Sequence, residues 1–270
     1  MTGSVGSVAS VFRYPVKSMM GEELNAAQVT PQGLLGDRGY ALCDNETGKV
    51  VSAKNPRKWP NLFRYRAAYV TPPVAGSAAP AVRVMLPDGA YAVSSNADFA
   101  ATLSAALGRS VVLISKPPEQ AQLEEYWPNR DERAAPDVVT DEAMPPGTFF
   151  DLAILHLLTT STLNQLSELG QRSRFEPRRF RPNLIIDTGD EKGFVENSWI
   201  DKTIAIGPEV HIRVTGPCPR CVMTTLAQGD LPKDPAVLKT AAQHNDGHVG
   251  IYCAVVQGGT VRVGDSLAVM

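Results

Sequence analysis

Val210-His211-Ile212-Arg213-Val214-Thr215-Gly216-Pro217-Cys218-Pro219-Arg220-Cys221 carries the decisive pattern of this chain. Apolar residues at 210, 212 and 214 alternate with polar ones, the signature of a half-buried strand. Gly216-Pro217 predicts a turn at its end. Two sulfur donors then flank a proline and a cation, and a thiolate so placed can bind a soft metal or do redox chemistry. By itself the four-residue motif also fits half of a zinc site or a redox dithiol. Structural zinc asks for four ligands, and the nearest candidates, His244 and His248, are separated by helix-breaking Asn245-Asp246-Gly247. A thioredoxin-like dithiol needs a βαβ setting, whereas strands surround this one.

Outward from this stretch the second half of the chain opens with an apolar stretch at 152–158 and reads as strands at 184–186, 203–206, 250–256 and 260–263. One helix is predicted over 162–169, with Thr162 and Gln165 as a capping box and Gly170 as its stop. The first half is also β-rich, with strands predicted at 5–14, 40–44, 50–53, 81–86, 90–93 and 111–115. Pro87-Asp88-Gly89 supplies a hairpin turn. Asn96 is placed to cap a helix with Phe99, Leu103 and Leu107 on its apolar face and Gly108 at its end. Residues 116–148, rich in proline and mixed charge, read as a linker or lid. The fold class is α+β and β-rich, with a β-rich segment over 1–115 and a barrel-like, mostly antiparallel sheet with few helices over 149–270.

The chain has 270 residues, 43% hydrophobic and 20% charged, with a formal net charge of −2. That is the composition of a soluble globular protein. The absence of a long basic run argues against a general nucleic-acid binder, although single arginines can serve a small anionic ligand. No stretch reaches the roughly 18 apolar residues of a membrane span, and the first residues lack the pattern of a secretory signal. The four cysteines, Cys43, Cys218, Cys221 and Cys253, are too few for a disulfide scaffold. The expectation is a cytoplasmic protein with reduced or ligating thiols, no membrane and no nucleic-acid partner.

Three further elements carry chemistry. Tyr14-Pro15-Val16-Lys17-Ser18 presents an ammonium and a hydroxyl side by side at the exit of a strand. In Gly36-Asp37-Arg38-Gly39 the glycines permit close backbone approach and the arginine can grip phosphate oxygens bidentately. Arg178-Arg179-Phe180-Arg181-Pro182-Asn183 brings a cation and an amide directly before a strand. Taken singly, each is also what a solvated loop looks like.

Together these motifs resemble the MOSC family. Tyr-Pro-Val-Lys-Ser, Gly-Asp-Arg and Ser52-Ala53-Lys54-Asn55-Pro56-Arg57 are similar to the MOSC N-terminal β-barrel domain. Phe180-Arg181-Pro182-Asn183, Trp199, Cys218-Pro219-Arg220-Cys221 with Thr224-Thr225, and Val263-Gly264-Asp265 are similar to the MOSC domain itself, in its amidoxime- and N-hydroxylamine-reducing members. The resemblance implies a molybdenum cofactor (Mo-molybdopterin) bound between the two segments. Cys221 is then the metal ligand and catalytic residue, Lys17, Ser18 and Arg38 hold the phosphate, and Arg181, Asn183 and Asp151 hold the pterin side. Leu152 and Ala153 stand where small hydroxyl residues are expected. Cys218 is expected to shape the loop, and Arg220 to pack against the cofactor or a loop carboxylate. Thr224 and Thr225 read as strand residues after the loop, and Lys54 and Arg57 as rim elements for substrate.

The implied function is reduction of small N-hydroxylated compounds, amidoximes and hydroxylamines. No ferredoxin-type cysteine spacing is present, so a separate flavoprotein, ferredoxin or cytochrome b5-like protein is expected to donate electrons. The alternatives are a cofactor carrier or a persulfide sulfur-transfer protein, since MOSC domains also end molybdenum cofactor sulfurases.

Overall fold

The computed structural model describes residues 4–127 and 137–270. Contacts divide the chain into two compact units that interleave in sequence. One gathers the chain up to Arg13 with Glu23–Leu35 and Ala153–Met270; the other gathers Tyr14–Glu22 and Gly36–Leu152. The segments 1–115, 116–148 and 149–270 expected from composition run consecutively, whereas these units do not.

The first unit is built on a closed seven-strand barrel. Its strands are β1 (Ser4–Arg13), β2 (Leu155–Thr159), β3 (Leu184–Asp187), β4 (Thr203–Ile206), β5 (Val210–Pro219), β6 (His248–Gln257) and β7 (Ser266–Val269). They follow the order β3-β2-β6-β5-β4-β7-β1, and β1 pairs with β3 to close the ring. Closure leaves no open edge in this ring for another chain to extend. Neighbours are antiparallel except β2 and β3, which run parallel. A parallel pair needs a crossover, and the helices Thr160–Leu169 and Pro177–Phe180 lie on that connection.

The barrel interior follows the alternation in the sequence. Val210, Ile212 and Val214 of β5 are buried with Val11, Leu155, Leu157, Ile251 and Cys253. Burying each such side chain contributes about 1.5–3 kcal/mol. The turn expected at Gly216-Pro217 is absent. Strand β5 continues through Pro219 and shifts register against β6 between Val214 and Gly216 and again between Pro217 and Pro219. Proline cannot donate to a ladder, and bulges accommodate it without ending the strand.

A second core joins Leu158, Leu166, Phe175, Phe180, Ile185, Val237, Ala241 and Val249 beneath the helices. The helix Thr160–Leu169 is capped by Thr159, whose hydroxyl accepts from Thr162 N at 3.2 Å. The expected Thr162–Gln165 box is thus replaced by the last residue of β2, because strand and helix join without a loop. The helix Pro235–His244 was not anticipated, yet Asp234 as cap and Pro235 in its first turn are its ordinary start signals.

The second unit carries small antiparallel sheets. Ala41–Asp44 pairs with Val111–Ile114, and Arg66–Tyr69, Val82–Met85 and Tyr91–Val93 form a three-stranded sheet. Residues 50–53 make only isolated bridges at Val50 in place of the expected strand. The helix Phe99–Leu107 buries Phe99 and Leu103 and ends at left-handed Gly108, but its cap is Asp98 and not Asn96. Within the expected connector, Gln122–Trp127 pairs with Val138–Ala143; its residues 128–136 lie outside the described residues. Lys49–Asp141 at 2.6 Å and Lys58–Glu124 at 3.1 Å pin this ladder to the unit. No helix among the described residues is long and apolar enough to cross a membrane.

Candidate functional site

Six residues other than glycine hold a positive φ among those described: Ser18, Arg38, Asn61, Arg181, Asp201 and Asp246. Asparagine and aspartate tolerate this conformation; serine and arginine do so at a cost of about 1–2 kcal/mol. The three that are not Asn or Asp are all residues singled out from the sequence for cofactor binding. Such strain persists only where surrounding contacts impose it, and it concentrates at functional sites.

In the second unit the 14–18 and 36–40 loops are laced together by their backbones. Lys17 N donates to Tyr40 O at 2.9 Å, Tyr40 N to Pro15 O at 3.0 Å and Arg38 N to Tyr14 O at 2.8 Å. Gly36 is required here: its φ is +80°, and a Cβ would lie 2.7 Å from the Tyr69 ring. Asp37 accepts from Tyr14 N at 2.8 Å and from the Arg38 guanidinium. The Arg38 head lies 4.4 Å from the centre of the Tyr14 ring, which fixes its direction. Ser18 Oγ accepts from Ala53 N at 3.0 Å, leaving the hydroxyl proton to donate elsewhere.

Lys17 is buried and donates to Phe149 O at 2.8 Å and to Asp151 Oδ1 at 2.6 Å. Burial alone would raise the Asp151 carboxyl, but Lys17, then Lys54 and Arg38, outweigh it and hold the carboxyl well below its usual range. Burial lowers the Lys17 ammonium, against the opposing pull of Asp151. Lys17 is hydrogen-bonded to this carboxylate, and Lys54 and Arg38 act on it through their charge.

That pair sets an expectation on the acid side. The folded-state pKa of Asp151 lies below the unfolded value of about 3.9. Its contribution to stability is complete above that pH and is lost as pH falls further. Asp151→Asn should lower the melting temperature at pH 7 and flatten its decline below pH 4. An unchanged acid slope in thermal melts would remove Asp151 from this account.

In the first unit Cys221 stands just beyond β5, half-buried, at the start of the 3-10 turn Val222–Thr225. Its carbonyl accepts from Thr224 N at 3.2 Å and Thr224 Oγ1 at 3.0 Å. Thr224 and Thr225 thus belong to this buried turn, not to the expected strand. None of the four cysteines is in a disulfide.

Among the described residues Arg220 pairs with a sulfur and a carbonyl oxygen, not with the loop carboxylate expected as one of its two partners. It donates to Cys218 Sγ at 2.6 Å and to Phe180 O at 2.8 Å, and its backbone N donates to Gly247 O at 2.9 Å. Its Nε is buried with no partner among the described residues. Cys218 is fully buried, with its sulfur against that guanidinium.

Arg181, held left-handed, closes the short helix Pro177–Phe180. Asn183 braces the barrel: its Oδ1 accepts from His156 N at 3.1 Å and its Nδ2 donates to Phe12 O at 3.3 Å. Sequence reasoning missed Arg179. This arginine is 1% exposed, and it donates to the carbonyls of Arg174, Thr224, Leu226 and Pro232 at 2.9–3.2 Å. It clamps the loop that follows Cys221. A run of three arginines around one phenylalanine gives no sign of which member turns inward.

Among the described residues no group of three or more His, Cys, Asp or Glu side chains could hold a metal. Among the described residues the Cys218 thiol lies against the half-buried Arg220 in one unit, and Lys17, Arg38 and Lys54 each meet a carboxylate in the other.

A family model for the MOSC domain matches residues 147–268, and one for the MOSC N-terminal beta barrel domain matches residues 5–107. Mitochondrial amidoxime-reducing component 1 of Mus musculus is 24% identical over 97% of this chain and 81% of its own length. A molybdenum cofactor sulfurase of Drosophila pseudoobscura pseudoobscura is 41% identical over 27% of this chain. This chain spans 9% of that sulfurase's length. Among solved structures, the YUAD protein from Bacillus subtilis is similar over 100% of this chain and 98% of its own, with a TM-score of 0.50 and 12% identity.

Proposed function

Because the chain belongs to the MOSC-domain proteins that carry a MOSC N-terminal beta barrel domain, we propose that it is a molybdenum-cofactor-dependent reductase of N-hydroxylated compounds. The observation that carries this reading is the conjunction of a half-buried thiol, Cys221, with cations held in costly backbone geometry at Arg38 and Arg181. The donor chemistry fits the group. A thiolate is a soft ligand suited to a soft, high-valent metal, and an ammonium, a guanidinium and a hydroxyl suit a phosphate.

Cys221 would ligate the metal, Lys17, Ser18 and Arg38 would hold the phosphate, and Arg181, Asn183 and Asp151 would contact the pterin. When bound, the cofactor supplies the two-electron redox chemistry that turns an N–OH group, with two protons, into an amine and water. The chain supplies orientation. The Val222–Thr225 turn holds the Cys221 backbone, and the neighbouring Arg220 carries a half-buried positive charge against Cys218 Sγ. Lys17 and Arg38 neutralise the ligand's anionic end, with Arg38 aimed by Asp37 and the Tyr14 ring. Electrons would come from a separate flavoprotein, ferredoxin or cytochrome b5-like protein, in the cytoplasm.

The test is metal and pterin analysis of protein made in a cofactor-producing host, followed by turnover of an amidoxime or hydroxylamine with an artificial donor. Stoichiometric molybdenum with turnover supports the reductase. The sulfurase likeness gives the rival reading its weight: labelled persulfide on Cys221 with no metal would point to sulfur transfer. Tight cofactor binding without turnover would point to a carrier. Arg38→Ala should weaken cofactor retention by about 1.5–3 kcal/mol, the range for a hydrogen bond to a charged group. Unchanged pterin content after gel filtration would return Arg38 to a structural role.

A further inference from the structure

Lys54 stands outside the residues assigned above to the phosphate, yet it is anchored beside them. The backbone N of the preceding residue, Ala53, donates to Ser18 Oγ at 3.0 Å. Tyr126 N donates to Lys54 O at 2.9 Å, fixing the loop from its other side. The Lys54 ammonium meets Glu125 Oε2 at 2.8 Å, with the two side chains only 15% and 7% exposed. A lysine at a mere rim would leave its head in water; this one is drawn inward by a buried carboxylate. After Lys17, it is the next largest charge acting on Asp151, ahead of Arg38.

A pattern emerges across the three cations. Lys17 is paired with Asp151, Arg38 with Asp37 and Lys54 with Glu125. Each carries its own carboxylate, so the cluster is close to neutral before any ligand arrives. Fixed partners hold the cationic heads in place, which reduces the ordering cost when an anion binds. We propose that Lys54 is a third cation of this anion site, held for a phosphate monoester dianion by Glu125. The inference rests on the phosphate-binding reading of Lys17, Ser18 and Arg38. It corrects the expectation of Lys54 as a rim residue and leaves Arg57 there, with its side chain 64% exposed and paired to Asp137.

Calorimetric titration of inorganic phosphate into the full chain, made in a host lacking the cofactor, tests it without molybdenum. Lys54→Met should weaken phosphate binding at least about fivefold, the effect of losing one charge-assisted contact. Arg57→Met should leave it within about twofold, and Lys54→Arg should recover part of the loss. Circular dichroism melts of each variant establish that it is folded. Equal losses in Lys54→Met and Arg57→Met, an unaltered affinity in Lys54→Met, or no saturable binding by the parent chain would each overturn the proposal. Loss of the molybdenum reading shows differently: phosphate would still bind through Lys54 while protein from a cofactor-producing host carried no pterin.

Discussion

Cys221→Ser should yield a folded protein that retains almost no molybdenum and does not reduce N-hydroxylated substrates. The fold is expected to survive because Cys221 stands beyond β5 at the start of the 222–225 turn and is not a member of the barrel core. Thr224 N and Thr224 Oγ1, which shape the 222–225 turn, donate to the Cys221 carbonyl, and a serine keeps that carbonyl. The chemistry does not survive because a serine hydroxyl stays protonated at neutral pH and is a hard donor, whereas a thiolate is soft and forms near neutrality. Mutating a partner that merely orients a ligand typically costs 10–100-fold in metal affinity, so losing the ligand itself should cost more than about 100-fold. Elemental analysis beside a thermal melt separates the two outcomes. Parent-level molybdenum and activity in this variant would end the assignment of Cys221 as the metal ligand.

Arg179→Met should lower stability by about 3 kcal/mol. The guanidinium donates to four carbonyls, those of Arg174, Thr224, Leu226 and Pro232. Hydrogen bonds to a charged group contribute about 1.5–3 kcal/mol each, and part of that sum is offset by the cost of keeping the charge out of water. For a unit of this size the loss corresponds to roughly 6–12 °C in melting temperature. Arg179→Lys should restore little, because a point ammonium cannot span acceptors that a planar fork reaches together. The released carbonyls lie in the segment after Cys221, so cofactor content should fall with stability. A melting temperature within about 1 °C of the parent would show that the clamp is dispensable.

Much of this protein is legible in one dimension. Alternation at 210–214 identifies a barrel strand, and Thr203–Ile206 is found at its expected bounds. Ser18, Arg38 and Arg181 are chosen from motifs, and each proves to be held in a left-handed conformation. Local signals fail where a longer-range contact outweighs them. The Gly216-Pro217 turn disappears because β6 pairs with that segment through bulges. The Thr162 capping box yields to Thr159 because the strand feeds the helix directly.

The sequence by itself determines the family and the β-rich class, and it nominates the side chains proposed for the chemistry, because these depend on residue type and short spacing. Only the tertiary structure decides that the first strand closes a barrel built from the second half of the chain. It alone pairs Lys17 with a carboxylate 134 residues away and turns Arg179 inward as a clamp while Arg178 stays nearer the surface. The physical reason is common to all three. Periodicity and turn chemistry constrain neighbours along the chain, whereas a buried charge takes its partner from whichever segment the packing brings within hydrogen-bonding distance.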